Sequence, residues 1–487
     1  MAISKLHYLD VVDGEFHGTT ADDLQQLFDA VEQHEFRDHL VVHFHGGLVP
    51  RTSAMQNVVK LLPDYIQSRS YPIFFVWNSG ALGALAHNLD EVAQEPAFHR
   101  LVRRLAQLLA GKLAEKGGTR GPVVQVESLK SIPTEPEKLY EWTRKHESTT
   151  VKKPSTLSAS QQDQIKRELM GDPVLIKESL AIAAGLRNPE EIQRDLEERS
   201  RGGFAVRASR KTLMSPVVLK KIAEKTPDKG SRGINVLGVL AEYGVKIAKA
   251  VIKRYRNGRD HGLMATIIEE VGRVLYFDSI GSVVWELMKG DTEDAFGGDP
   301  LKHAGTAFLD HLRTWWKPGR HVTLIGHSTG AVYIYYLLKY ADGVLPAGLK
   351  FDIVFLAPVS TFELIHGALP LFTKRVSGFR MFALQDDLER GYWEVPFLYP
   401  ASLLYMVSGL FEPEADTPLL GMQRYHQTGP YDFPEVQAVR EWIADRCIWS
   451  VSQGLLPGLQ STSHKHGAFN SDRSTRESVK HILRNGF

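Results

Sequence analysis

Gly326-His327-Ser328-Thr329-Gly330 has the spacing G-x-S-x-G, with a hydroxyl nucleophile standing between two residues that lack side chains. The pattern alone arises by chance, so its flanks decide what it means. Val322, Leu324 and Ile325 enter it as an apolar strand, and Val332, Tyr333, Tyr336 and Leu337 leave it near the helical period. A nucleophile elbow requires this strand, tight turn and helix. The turn lifts the serine oxygen above the sheet, at a helix start whose free N–H groups favour negative charge. A second stretch, His43-Phe44-His45-Gly46-Gly47-Leu48, follows the apolar run Leu40-Val41-Val42. Two histidines and two glycines at a strand end read as half a metal site, a plain turn, or backbone that something must approach closely.

The elements that would position these residues fall into three regions. Residues 1–89 hold the β-rich runs LHYLDVV, HLVVHF and YPIFFVW, with a helix expected over about 54–69 from Met55, Val58, Val59, Leu62 and Ile66. Residues 271–487 return to that texture with RHVTLIG, the helix STGAVYIYYLLKY, FDIVFLA, FRMFAL and a final helical ESVKHILRN. Continuous apolar strands alternating with helices predict a parallel sheet covered on both faces. Between them, residues 90–270 are charged and helix-periodic, as in LVRRLAQLLAGKLAEK and EEIQRDLEERSR, with polar loops such as KSIPTEPEK and KKPSTLSASQQDQ. The fold class expected is therefore α/β, one sheet interrupted by a mainly helical insertion.

Composition narrows the function classes. Lys plus Arg number 58 against 57 Asp plus Glu, so no global field points to nucleic acid. Residues 201–260 nonetheless carry 15 basic against 4 acidic side chains. Within them VLGVLAEYGVKIAKAVIKRYR places Leu237, Leu240, Tyr243, Ile247, Val251 and Tyr255 on one stripe. That stripe suits either a helix packed on its own core or peripheral contact with an anionic membrane surface. A single cysteine, Cys447, excludes an intrachain disulfide and a cysteine-based zinc site. The N-terminal MAISKLHYLDVVDGEF has no apolar segment of signal-peptide length, and no apolar stretch reaches spanning length, so a cytoplasmic location is expected. No G-x-x-x-x-G-K-[ST] phosphate loop occurs.

With its flanks, the G-x-S-x-G element resembles that of the α/β-hydrolase superfamily, the lipases and esterases in particular. The resemblance covers both regions that flank the insertion, roughly 300 residues together, and not the insertion itself. It implies an α/β-hydrolase fold in which the insertion is a cap or lid, and a catalytic order of Ser, acid, His. Ser328 would be the nucleophile. Asp386 or Asp387, at the exit of FRMFALQDD, would be the acid, with Glu389 and Glu394 as weaker contenders. His466, in STSHKHGAFNSD before the last helix, would be the base, with His464 as the alternative. The resemblance also gives His45-Gly46-Gly47 a role: the loop after the third strand would bind the oxyanion. Gly47 N–H, or Leu48 in its place, would act there with Thr329 N–H. A metal reading of His43 and His45 is disfavoured, because Gly46-Gly47-Leu48-Val49 follows where binuclear metallohydrolases carry an Asp-His pair.

The expected activity is hydrolysis of a carboxylic ester, small or lipid, with no metal or organic cofactor. A catalytically silent binding protein on the same fold is the alternative from another class. Peptidase, thioesterase and acyltransferase chemistry would use the same residues.

Overall fold

The computed structural model describes residues 3–78, 89, 91–114, 154–186, 190, 212–224, 232–276, 282–391, 399–427, 429–454 and 456–487. KSIPTEPEK, all of EEIQRDLEERSR but Glu190, and Glu394 lie outside them. The chain divides into two compact units. Met1–Gly83, Val284–Glu389 and Pro418–Phe487 form the first, and Ala84–Val283 with Arg390–Thr417 the second. The second unit thus takes in a segment after FRMFALQDD whose apolar character matched the core's.

In the first unit eight strands form one sheet: β1 (Tyr8–Val12), β2 (Glu15–Phe16), β3 (His39–Phe44), β4 (Tyr71–Asn78), β5 (His321–His327), β6 (Phe351–Leu356), β7 (Val376–Leu384) and β8 (Cys447–Ser450). Their order is β2-β1-β4-β3-β5-β6-β7-β8, with β2 antiparallel to β1 and every other neighbour parallel. The unit is therefore α/β with a mostly parallel sheet. Parallel strands need both faces covered, which is why their sequences are apolar throughout.

Alternation along the strands assigns the two faces. Val41, Phe74, Val76, Ile325, Val354 and Phe382 pack with Val58, Leu61 and Tyr65 of the helix Arg51–Gln67 and with Val479, Ile482 and Leu483 of Arg473–Asn485. On the other face the Phe44 ring lies 4.7 Å from Phe75 and 4.8 Å from Tyr333, while Phe308 meets both Phe75 and Phe28. Those contacts bring in the helices Ala21–Gln33, Ala304–Trp315 and Gly330–Val344. Because β3, β5, β7 and β8 are parallel, the residues that follow each of them share one edge of the sheet.

The second unit is helical where it is described. Its long helix Arg232–Asn257 carries the apolar stripe, and Leu237, Leu240, Ile247, Val251 and Tyr255 are buried as it packs on the helices Ala159–Met170 and Pro173–Gly185. That stripe is consumed by the unit's own core. The first of these partner helices begins inside KKPSTLSASQQDQ, where a loop was expected. Ser158 and Gln161 form a reciprocal capping box, which starts the helix in a polar stretch ahead of its buried Ile165 and Leu169.

A buried ion network ties Arg390–Thr417 to the rest of this unit. Both ring nitrogens of His261 face carboxylates, Nδ1 at 2.7 Å from Glu269 and Nε2 at 2.8 Å from Asp416. Arg254 Nη1 meets Glu269 at 2.5 Å, Arg259 Nε meets Asp416 at 2.8 Å, and the Tyr399 hydroxyl donates to Glu269. Burial opposes the Glu269 charge, but Arg254 and His261 outweigh it and hold the carboxyl below its usual range. Removing one member leaves the others buried and unpaired, which costs about 3–5 kcal/mol. Asp416→Ala is expected to lower the urea-unfolding free energy of the full chain by that order. A loss below about 1 kcal/mol would mean that the network does not hold the segment.

Candidate active site

The serine elbow is built by contact between backbones. Ser328 sits at φ +54°, a conformation costly for a residue with a side chain, and its N–H donates to the Leu356 carbonyl at 2.9 Å. A Cβ on Gly330 would lie 2.2 Å from the Phe44 carbonyl oxygen, and one on Gly326 would lie 2.9 Å from Ala331 N. Both glycines of the pattern are therefore required by packing, the first against the departing helix and the second against the end of β3.

The same closeness brings the Gly46-Gly47 loop onto the elbow. A Cβ on Gly46 would sit 3.2 Å from Ser328 Cβ, and one on Gly47 would sit 2.9 Å from Thr329 Oγ1. His45 fixes this loop. Its Nδ1–H donates to the Gly46 carbonyl at 2.8 Å, and its Nε2 accepts the Trp77 N–H at 3.0 Å. The indole of Trp77 in turn donates to the His45 carbonyl at 3.0 Å. In a trans peptide the carbonyl and the next N–H point opposite ways, so holding Gly46 C=O also sets the direction of Gly47 N–H. Among the described residues, no acceptor takes the N–H of Gly47 or of Thr329.

The expected base, His466, lies in the loop after β8. His466 Nε2 lies 3.0 Å from Ser328 Oγ, and each residue is under a twentieth exposed. His464 is exposed and makes no such contact. The loop is carried on a hydrogen-bonded platform. Ser450 Oγ donates to the Ser463 carbonyl at 2.6 Å, Ser461 Oγ to Ser450 Oγ at 3.0 Å, and Thr462 N–H to Asp472 at 3.0 Å. Asp472 also caps the helix Arg473–Asn485. Burial opposes its charge, but bonds from Thr462 and Thr475 keep its carboxyl below the usual range.

The expected acid does not join this pair. Asp386 and Asp387 open a short helix directly after β7, the first half-buried and the second exposed. Among the described residues, neither these aspartates nor any other group hydrogen-bonds to Nδ1 of His466, which is buried. Glu389 is buried on the same short helix. His327, the unspecified residue of G-x-S-x-G, has a contact that the sequence pattern gave no reason to expect: its Nε2 lies 3.0 Å from the His466 carbonyl. His43 packs below the loop with Nδ1 at 2.9 Å from the Tyr65 hydroxyl, so its partner is a side chain and not the loop backbone. His43 and His45 are thus engaged with different neighbours, and among the described residues no three metal-ligating side chains converge.

No protein-family model, curated protein or solved structure matches the chain.

The site's electrostatics follow from burial. It pushes His43 and His466 down to about 3 and His45 to about 4, against an ordinary value near 6.5. The imidazole of His466 is consequently neutral, as a general base must be. The stability consequence has a definite sign. Below pH 6.5 the unfolded chain binds protons that these folded histidines refuse, so stability present at neutral pH is lost as pH falls toward 3–4. Between about pH 6.5 and 5.5 each contributes a loss of about 1 kcal/mol, or about 3 kcal/mol for the three. Chemical denaturation across that interval checks this, and a pH-independent midpoint would rule it out.

The two aspartates give a second test. A carboxylate that orients the base is worth about 10⁴-fold in rate. Asp386→Asn and Asp387→Asn are each expected to change the rate of Ser328 modification by less than about tenfold, and a loss approaching 10⁴-fold for either would identify the acid.

Proposed function

We propose that the chain is a serine hydrolase of the α/β-hydrolase type, cleaving a carboxylic ester through an acyl-enzyme on Ser328. The observation that carries this reading is Ser328 Oγ at 3.0 Å from a neutral His466 Nε2, on an elbow with φ +54°. Nucleophile and base within hydrogen-bond reach are what acyl transfer needs. His466 Nε2 takes the hydroxyl proton as Ser328 Oγ bonds to the acyl carbon. The carbonyl oxygen becomes an oxyanion and receives hydrogen bonds from Gly47 N–H and Thr329 N–H. The proton on His466 passes to the departing alkoxide, leaving the acyl-serine. Water then gives a proton to His466 and attacks the acyl carbon; the bond to Ser328 Oγ breaks, the acid leaves, and His466 returns the proton to Ser328 Oγ. The helical unit is proposed as a cap on connectivity alone, since its segments follow β4 and the short helix after β7.

A second reading is favoured by two features: among the described residues no carboxylate reaches His466 Nδ1, and Ser328 is only 4% exposed. A hydrolase fold retained as a catalytically silent binding protein has no need of either an acid or an open serine. Turnover separates the two. Hydrolysis of p-nitrophenyl esters from acetyl to palmitoyl is expected, abolished in Ser328→Ala, with the chain-length optimum reporting the acyl pocket. Folded protein that turns over none of them, or a Ser328→Ala variant as active as the parent, would exclude the ester-hydrolase reading.

A further inference from the structure

A base that must meet a serine oxygen has to be held both in position and in rotation, because a misplacement of about 1 Å costs about 10²-fold in rate. In the usual arrangement a carboxylate on Nδ1 does this. Here, among the described residues, no group reaches the buried Nδ1 of His466, and the contacts that hold this residue lie elsewhere on it. The platform at Ser461–Ser463 and Asp472 fixes the two ends of the loop, and His466 lies between them.

The bond that reaches His466 itself comes from the residue next to the nucleophile. His327 Nε2 is 3.0 Å from the His466 carbonyl oxygen, and the two rings lie 5.5 Å apart and tilted by 32°. A carbonyl only accepts, so His327 carries its proton on Nε2. Two adjacent residues therefore grip one: Ser328 Oγ meets the His466 ring while His327 meets the His466 backbone. A two-point bracket of this kind refers the base directly to the nucleophile and removes one rotation. His327 is itself wedged in place, only 4% exposed, with a Cβ on Gly46 falling 3.6 Å from its Nδ1. It thus belongs to the elbow, bonds to the base loop and leaves little room for a side chain at Gly46.

We infer that His327 is the positioning residue of the general base, acting through the His466 backbone where other serine hydrolases use a carboxylate, a role that rests on the hydrolase reading of Ser328 and His466. Gln at 327 can place an N–H at similar reach, and Leu cannot.

The test is the second-order rate of Ser328 labelling by a fluorophosphonate in wild type, His327→Leu and His327→Gln, with circular dichroism confirming each fold. His327→Leu is expected to label about 10- to 100-fold more slowly, and His327→Gln to recover to within about threefold of wild type. Wild type and His327→Leu labelling at one rate would overturn the role of His327 while leaving the hydrolase reading intact. Wild type that never labels at Ser328 would remove that reading and this role together. Should His327→Leu fail to fold, ¹⁵N NMR of the unmutated protein decides instead. The Nε2–H tautomer of His327 is expected, and the Nδ1–H tautomer would refute the bracket.

Discussion

Where β3 ends and the elbow turns, two backbones touch, and the rest of the first unit is arranged around that contact. With only 2.2 Å between the Phe44 oxygen and the place where a Gly330 Cβ would be, no other residue type fits at 330 without moving a strand. Parallel pairing of β3 with β5 sets the two strand ends side by side, and the glycines then let the following loops close onto each other. Ser328 is held at positive φ by that closure and by its bond to Leu356 at the end of β6. Gly46 and Gly47 arrive against Ser328 and Thr329 for the same reason. The site is thus a consequence of strand order, with each reactive group placed by the strand that precedes it.

The two units surround their buried histidine clusters in opposite ways. In the second, His261 lies among carboxylates and arginines, and charges neutralise one another. In the first, His43, His45, His327 and His466 are buried together, each pushed below its ordinary value chiefly by loss of solvent. Neutral imidazoles can each donate at one nitrogen and accept at the other, and this site uses them as directional connectors. His45 links β4 to the glycine loop, and His327 links the elbow to the base loop. A charged group in their place would raise a solvation cost that nothing nearby offsets.

Much of this was legible from residue types alone. The strands β1, β3, β4, β5, β6 and β7 were evident as apolar runs, because a sheet covered on both faces leaves no polar alternation to confuse them. β2 and β8 were not, being two and four residues long. Ser328 and His466 were found through the pattern around them, and the structure sets them 3.0 Å apart. The aspartates were chosen by position after a strand, a criterion blind to where a side chain on a short helix points. The role of His327 was hidden for another reason. Its partner is a backbone carbonyl 139 residues away, and backbone acceptors leave no trace in the sequence. The Arg390–Thr417 segment likewise joins the second unit through Asp416 and Tyr399, by long-range contacts that hydropathy does not report.

The central claim is that Ser328 is activated by a neutral imidazole that no carboxylate of the described residues reaches. The pH dependence of phosphonylation at Ser328 tests it most directly, measured between about pH 5 and 8 wherever the protein remains folded. A base whose value is pushed down to about 3 stays neutral throughout, so the rate should be flat across that range. A rate that falls by half near the ordinary histidine value of about 6.5, or no modification of Ser328 at any pH, would contradict the account.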